Sequence, residues 1–395
     1  MSLPPLANLF AVHDTDPAAL DAIMRDMQSS GEFAHVWRPA PGWAAAAAPL
    51  PGGTPDDDLV RQHQLAFAEG RDVALERSGK DPTARLREIA ELADLRPDRL
   101  ASLPGDFGFI RFRTGGDATV VRSCGGLAPF YLRRSEGRCA ISTRLGDFVR
   151  YFPDEPRLDP LVNATWATSW GLFPDGRTPL DGVMILGRGH FALLEKGRLL
   201  IRQYWEPRPK KQIPYPTPAR AREHAERLRS LLIEKLTRDL DPDDGNLLAL
   251  SGGVDSSSLA ALAAGVVGRK VWTFSLVPRK EREDLFQYEM SFIESLAQRY
   301  GFERRWTIFQ RPEGLLPALW HAFPPIVFHV IHPGLCSLPG ILREAPVRVL
   351  FGGEFADEVC GSVFTVPDWS RQTSLIRLVM NRQIWSTNRR DILRW

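Results

Sequence analysis

Apolar positions fall into two different rhythms along the chain. Through the first two hundred residues they come as short alternating bursts. These predict strands over 6–12, 107–113, 118–122, 129–134 and 139–143, with an amphipathic helix over 18–29. Turn signals such as TGGD and SEGR separate the bursts, and 191–195 and 199–204 flank KGR as a hairpin. The alanine-rich stretch AAAAAPLPGG at 44–53 reads as a local loop. Residues 205–219, WEPRPKKQIPYPTPA, hold five prolines, which prevent regular structure and mark a linker. Beyond it strand and helix patterns alternate. A charged helix over 220–237 is followed by strand 247–250, helix 256–266, strand 271–276 and helix 285–300. Further strands are expected at 304–309 and 347–351. The expected architecture has two domains. Residues 1–204 form an antiparallel, β-rich α+β domain. Residues 220–395 form a doubly wound parallel α/β domain, in which ligands sit at the carboxyl ends of the strands.

Bulk composition narrows the function classes. A chain of 395 residues suits two domains, and 44% hydrophobic with 25% charged residues is ordinary for a water-soluble protein. A net charge of +2 and a pI near 8.4 are too balanced for a nucleic-acid or acidic-membrane partner. Cys124, Cys139, Cys336 and Cys360 show neither CxxC spacing nor a His partner. Reduced thiols are therefore expected, rather than a zinc site or a disulfide framework. The N-terminal residues lack the basic and apolar regions of a signal peptide. No apolar run approaches the ~20 residues that span a bilayer. A cytoplasmic protein without a membrane partner is the expectation.

The chemistry concentrates in residues 247–262, LLALSGGVDSSSLAAL. A buried strand runs into a Gly-Gly turn and then into a helix whose first turn holds Asp255, Ser256, Ser257 and Ser258. Glycines allow backbone N–H groups close to a phosphate, and the helix start adds unpaired donors and a positive dipole end. Asp255 can hold magnesium on a polyphosphate. A Ser-rich helix cap needs just one of these hydroxyls, whereas the strand, both glycines, the acid and the serine run coincide here. The segment is not a Walker loop, for there is no GxxxxGK[ST] and no Lys in the turn. A second strand–Gly-Gly–acid segment, VLFGGEFADEVCGS, covers 349–362 and carries Glu354, Asp357 and Glu358. A carboxylate from it could share a magnesium ion with Asp255; acids placed to complement a helix dipole are the plainer alternative.

SGGVDSS resembles the PP-loop of the ATP pyrophosphatases, which cleave ATP between the α and β phosphates. With GEFADE at 353–358 in the slot of a GEGSDE-like segment, the chain resembles the asparagine synthetase family. That resemblance implies ATP and Mg2+ as cofactors, with Asp255 and Asp357 ligating the metal and Glu354 in the place of the family's active-site Glu. It implies that Ser251, Gly252, Gly253, Asp255, Ser256 and Ser257 hold the phosphates. Gly352 and Gly353 would approach the ATP, and Leu250 and Leu276 would pack near the adenine. GDFGFIRF (105–112), RSCGGLAPFYL (122–132) and CAISTRLGDF (139–148) look like the glutamine amidotransferase-type domain of the same family.

Two departures shape the functional expectation. The family's glutaminase uses a Cys directly after the initiator Met, and here Ser2 stands there. FAEGRDVAL at 67–75 occupies the place of a glutamine-holding segment without matching it. The first domain is therefore expected to lack glutaminase activity, and the nitrogen to come from elsewhere. β-Lactam synthetases and lasso-peptide cyclases, both relatives, use an amine of the substrate itself. In β-lactam synthetases a Tyr occupies the position of Glu354, so the Glu here looks more like asparagine synthetase and the lasso cyclases. The leading expectation is intramolecular macrolactam closure of a lasso-type peptide. Asparagine formation from ammonia or glutamine, and a non-catalytic homologue, are the alternatives. The second departure concerns a Lys that the family has in its C-terminal part: no Lys follows Lys280. Truncation is the favoured explanation, beside a partner that supplies the rest or an inactive homologue.

Weaker candidates lie elsewhere. His321, His329 and His332 are not spaced as a standard ligand set and are expected to pack on a loop, although their stretch could line an acceptor pocket. Arg279, Lys280 and Arg282 could meet pyrophosphate or form a solvated loop. Asp56, Asp57 and Asp58 read as a polar turn. The expected partners are a small-molecule or peptide carboxylate substrate, a peptide-processing protease or precursor-binding protein, and a second copy in a homodimer.

Overall fold

A computed structural model of the chain describes residues 9–33, 35–47, 64–67, 91–93, 96–103, 108–113, 115–125, 129–135, 137–152, 157–168, 176–195, 198–208, 217–277, 287–308, 347 and 349–353. The chain divides into two compact units, Met1–Pro207 with Ile308–Glu344 and Arg208–Thr307 with Ala345–Trp395.

The first unit contains β1 (Leu9–His13), β2 (His35–Trp37), β3 (Trp43–Ala47), β4 (Gln64–Phe67), β5 (Gly108–Phe112), β6 (Ala118–Arg122), β7 (Tyr131–Ser135), β8 (Arg138–Ser142), β9 (Val183–Ile185), β10 (His190–Glu195) and β11 (Arg198–Gln203). They form two antiparallel sheets, ordered β2-β3-β1-β8-β7-β9 and β11-β10-β6-β5-β4. Side-chain alternation decides the layers. Leu9 and Ala11 of β1 point into a core shared with Ile110, Val120 and Ala192 of the other sheet. Phe10 and Val12 point the opposite way, onto Leu20, Ile23 and Met27 of helix Pro17–Ser29. That helix starts where sequence chemistry puts it: Asp16 accepts a hydrogen bond from the Ala18 N–H at 2.9 Å, and Pro17 opens the first turn. The outer face of the second sheet is covered through Leu100 of the 3-10 helix Pro97–Ser102, packed on Val121 and Phe191.

The loop expected at 44–53 is corrected over its first part: Trp43–Ala47 is a strand pairing with β1 and β2. Alanine has little intrinsic strand preference, which hides this strand from a propensity argument. The structure supplies the reason for alanine. Trp43, Ala45 and Ala47 face the core between the sheets, while Ala44 and Ala46 face the helix layer. A strand buried on both faces under close-packed layers has room for small side chains. Ala45→Leu should therefore cost about 1–3 kcal/mol by overpacking. Urea denaturation would check this, and an unchanged midpoint would contradict the double burial.

The second unit carries β12 (Asn246–Ala249), β13 (Trp272–Val277), β14 (Glu303–Ile308) and β15 (Val349–Phe351) in the order β14-β13-β12-β15. β12 runs parallel to both of its neighbours, β13 and β15. This is the expected doubly wound arrangement, and the two-domain fold class stands. Helix Pro218–Asp239 starts two residues before the expected 220, inside the proline-rich stretch. Pro218 sits in the first turn, where its missing N–H costs nothing, and Thr217 caps it. Leu248, Leu250, Ala260, Ala263 and Ile293 form this unit's core. Among the described residues no helix is long and apolar enough to cross a membrane.

Candidate functional site

The strand order places the site. From β12 the chain moves to β13 and then β14 on one side, whereas β15 lies on the other side of β12. β12 is thus the strand at which the order reverses, and in sheets of this kind ligands bind at the carboxyl ends beside that strand. Both Gly-Gly segments sit at those two ends. Leu248 pairs with Phe351, so Gly352 and Gly353 leave the sheet alongside the exit of β12 into Ser251, Gly252 and Gly253.

The first loop is held rigidly from behind. Leu247, Leu248 and Leu250 are buried, and Leu250 N donates to Phe274 O at 2.9 Å. The Asn246 side chain locks the entry to β12 by bonding the Asp241 backbone at 2.7 and 2.9 Å and Lys270 O at 3.1 Å. Within the loop, Ser256 is turned inward and 5% exposed. Its Oγ accepts from Ser251 N at 3.2 Å, lies 3.1 Å from Ser251 Oγ and donates to Gly253 O at 3.4 Å. Ser256 thus staples the turn, a role that capping and motif arguments did not assign to it. The helix Val254–Ala260 follows, with Asp255 half-buried in its first turn. It closes in a π-type turn over Ala261–Val266, rather than as the uniform α-helix expected over 256–266.

Two glycines mark close approaches, and the first is required by geometry. Gly252 has φ +83°, and a Cβ there would lie 2.7 Å from the backbone oxygen of Glu289. A Cβ on Gly353 would meet both Asp255 Cβ and Ser256 N at 3.0 Å. The second loop therefore rests directly on the first turn of the helix that carries Asp255, and a side chain at position 353 would require that turn to give way by a few tenths of an ångström. The two motifs, about a hundred residues apart in sequence, are in direct contact.

Ser251 and Gly253 are exposed at the mouth, and the Ser257 Oγ is shut from solvent with no hydrogen-bond partner. Leu250 lies in the core at 1% exposure, and Leu276 belongs to β13. Glu354 and Asp357 lie outside the described residues, as do Glu358, Arg279, Lys280, Arg282, the three histidines, Asp56 to Asp58, Ser2, Cys336 and Cys360. One residue escaped the sequence reading. Glu289, in the first turn of helix Gln287–Tyr300, touches Gly252 through its backbone. An acid opening the helix after the neighbouring strand was the available signal.

In the first unit, Cys139 is 8% exposed, and burial pushes its thiol up to about 12 against the pull of Arg134. It is a packing thiol rather than a nucleophile.

Residues 207–392 match the family model of asparagine synthase. No curated protein matches the chain. Among solved structures, an NMN synthetase from Francisella tularensis is similar at 21% identity and a TM-score of 0.26, covering 34% of this chain and 56% of that one. An NH3-dependent NAD synthetase from Campylobacter jejuni is similar at 16% identity and a TM-score of 0.23, covering 35% and 59%. A glutamine PRPP amidotransferase from B. subtilis is similar at 10% identity and a TM-score of 0.32, covering 91% and 93%. The chain thus spans under two thirds of the length of the first two. By this match, residues 207–392 are similar to the asparagine synthase family over a little under half of the chain.

Proposed function

We propose that the protein adenylates a carboxylate with ATP and passes the acyl group to an amine, closing a lasso-type peptide macrolactam. The observation that carries the adenylation step is the contact of Gly353 with Asp255 and Ser256, which joins both Gly-Gly loops at the switch point of the parallel sheet. The residues present fit a magnesium–polyphosphate group. There is a cradle that a Cβ would fill, an orphaned Ser257 hydroxyl and one carboxylate at the helix start. Asp255 would hold the metal, with Asp357 proposed as its second carboxylate. The metal, when bound, neutralises charge that develops on the leaving phosphates.

In the first step a carboxylate oxygen bonds to the α-phosphorus, and the bond from that phosphorus to the β-phosphate oxygen breaks, releasing pyrophosphate. The amine nitrogen then bonds to the acyl carbon, loses a proton, and AMP departs. The chain's own contribution is placement. Gly252 and Gly253 let the backbone approach the phosphates, Ser251 and Ser257 offer hydroxyl donors, and Leu250 and Leu276 back the adenine. Glu354 is proposed to face the acyl group.

The macrolactam reading is favoured by Ser2 in place of a nucleophilic Cys, by Glu354 where β-lactam synthetases have Tyr, and by the inert setting of Cys139. It predicts a peptide-processing protease or a precursor-binding protein as partner. A cytoplasmic setting belongs to the proposal, motivated by the free thiols Cys124 and Cys139.

Incubation with ATP, Mg2+ and a linear lasso precursor core peptide should yield AMP, pyrophosphate and a peptide lighter by one water. Asparagine from aspartate and ammonia, with the peptide unchanged, would replace the macrolactam reading by plain asparagine synthesis. Release of ADP would overturn the adenylation step itself.

A further inference from the structure

Two side-chain carboxylate oxygens among the described residues are buried without a hydrogen-bond partner, Glu32 Oε2 and Glu289 Oε2. The first is electrostatically compensated: it faces Arg144 Nη2 at 3.6 Å, while the other oxygen of Glu32 pairs with Arg150. Among the described residues Glu289 has no ion pair. A buried acceptor without a donor destabilises a fold, and such an atom calls for an explanation outside the packing.

Its position supplies one. Helix Gln287–Tyr300 follows β13, so its start lies at the same carboxyl edge of the sheet as the phosphate loop. Cα–Cβ bonds in a helix lean toward its N-terminus, so the Glu289 side chain leans to that edge. The Glu289 backbone is packed on Gly252 so closely that no Cβ fits between them. Another carboxylate, Asp255, stands three residues beyond Gly252, in the first turn of the helix that follows the loop. Two acids beside a polyphosphate would repel it unless a cation stands between them. Magnesium prefers few direct protein ligands and retains several waters, each of which needs an acceptor.

We propose that Glu289 is a positioning residue of the nucleotide site, its Oε2 accepting a hydrogen bond from water carried by the magnesium of ATP·Mg. This inference rests on the reading of the site as an ATP site. It makes nucleotide binding conditional on the metal: the carboxylate disfavours bare ATP and favours ATP·Mg.

The test uses the full chain, Glu289→Gln and Glu289→Ala. Calorimetry measures binding of α,β-methylene-ATP with Mg2+ and, separately, with EDTA; urea denaturation measures stability without nucleotide. Both variants should bind the magnesium complex at least about tenfold more weakly, the lower end of what removal of an outer-shell metal partner costs. Both should bind the metal-free nucleotide no worse than wild type, and Glu289→Gln should denature at the same urea concentration or higher. Equal weakening with and without metal would overturn the proposal, as would no weakening at all. A loss of stability that tracks the binding loss, or failure of Glu289→Gln to fold, would make Glu289 a structural group and overturn it too. Absence of nucleotide binding by the wild type, with or without metal, would sink the ATP-site reading together with this inference.

Discussion

Asp255→Asn should abolish ATP–pyrophosphate exchange, with a fall of about 10²–10³-fold, while leaving the fold intact. Asp255 sits in the first turn of its helix, half-buried, with the backbone of Gly353 against it. Asparagine keeps the shape and the acceptor oxygen. What it loses is the charge. At the helix start that charge is worth ~0.3–1 kcal/mol of stability, so the circular dichroism spectrum and the urea midpoint should change little. At the site the same charge is proposed to hold the cation that neutralises a triphosphate, and an amide is a far weaker partner for a hard divalent ion. Exchange at the wild-type rate in the variant would remove Asp255 from the site.

Gly252→Ala should be the most damaging small substitution in the loop. The left-handed backbone at φ +83° costs a residue with a Cβ about 1–2 kcal/mol. The added carbon would also lie 2.7 Å from the Glu289 carbonyl oxygen, a backbone atom on a packed helix that cannot swing aside. Overpacking of this sort typically adds about 1–3 kcal/mol. A combined loss of about 2–5 kcal/mol is expected. Gly268 is the control. It has φ +72° and nothing within 4 Å of a Cβ, so Gly268→Ala should show only the backbone part. Urea denaturation of the two variants separates conformational strain from collision, and equal losses would mean that the Glu289 contact contributes nothing.

Much of the second unit's architecture was legible in the linear sequence. The apolar run at 247–250 bounded by Gly-Gly reads as a buried strand feeding a helix, because few other conformations use that pattern. The acid and serines after it read as a phosphate-binding helix start for the same reason. Less legible was which hydroxyl does what. Ser256 and Ser257 are equivalent on paper, but the helical step of about 100° between them sends Ser256 inward to staple Ser251 and leaves the Ser257 Oγ buried without a partner. Glu289 was not singled out because helix periodicity reports faces, not which backbone a first-turn residue will abut. The strand Trp43–Ala47 was missed because its alanines record the closeness of two cores, a property of the packed layers rather than of the residues themselves.

The sequence by itself determined the alternation of elements, the two Gly-Gly-acid segments and the kind of ligand they suit, since these follow from local backbone freedom and side-chain chemistry. Only the tertiary structure decided that the two segments meet. Their meeting depends on the strand order β14-β13-β12-β15, which sets the tips of β12 and β15 side by side, and on Gly353 fitting against Asp255. The physical reason is that local preferences act over a few residues. Contact between segments a hundred residues apart is fixed by how the sheet buries its faces and by where close packing leaves room for a backbone alone.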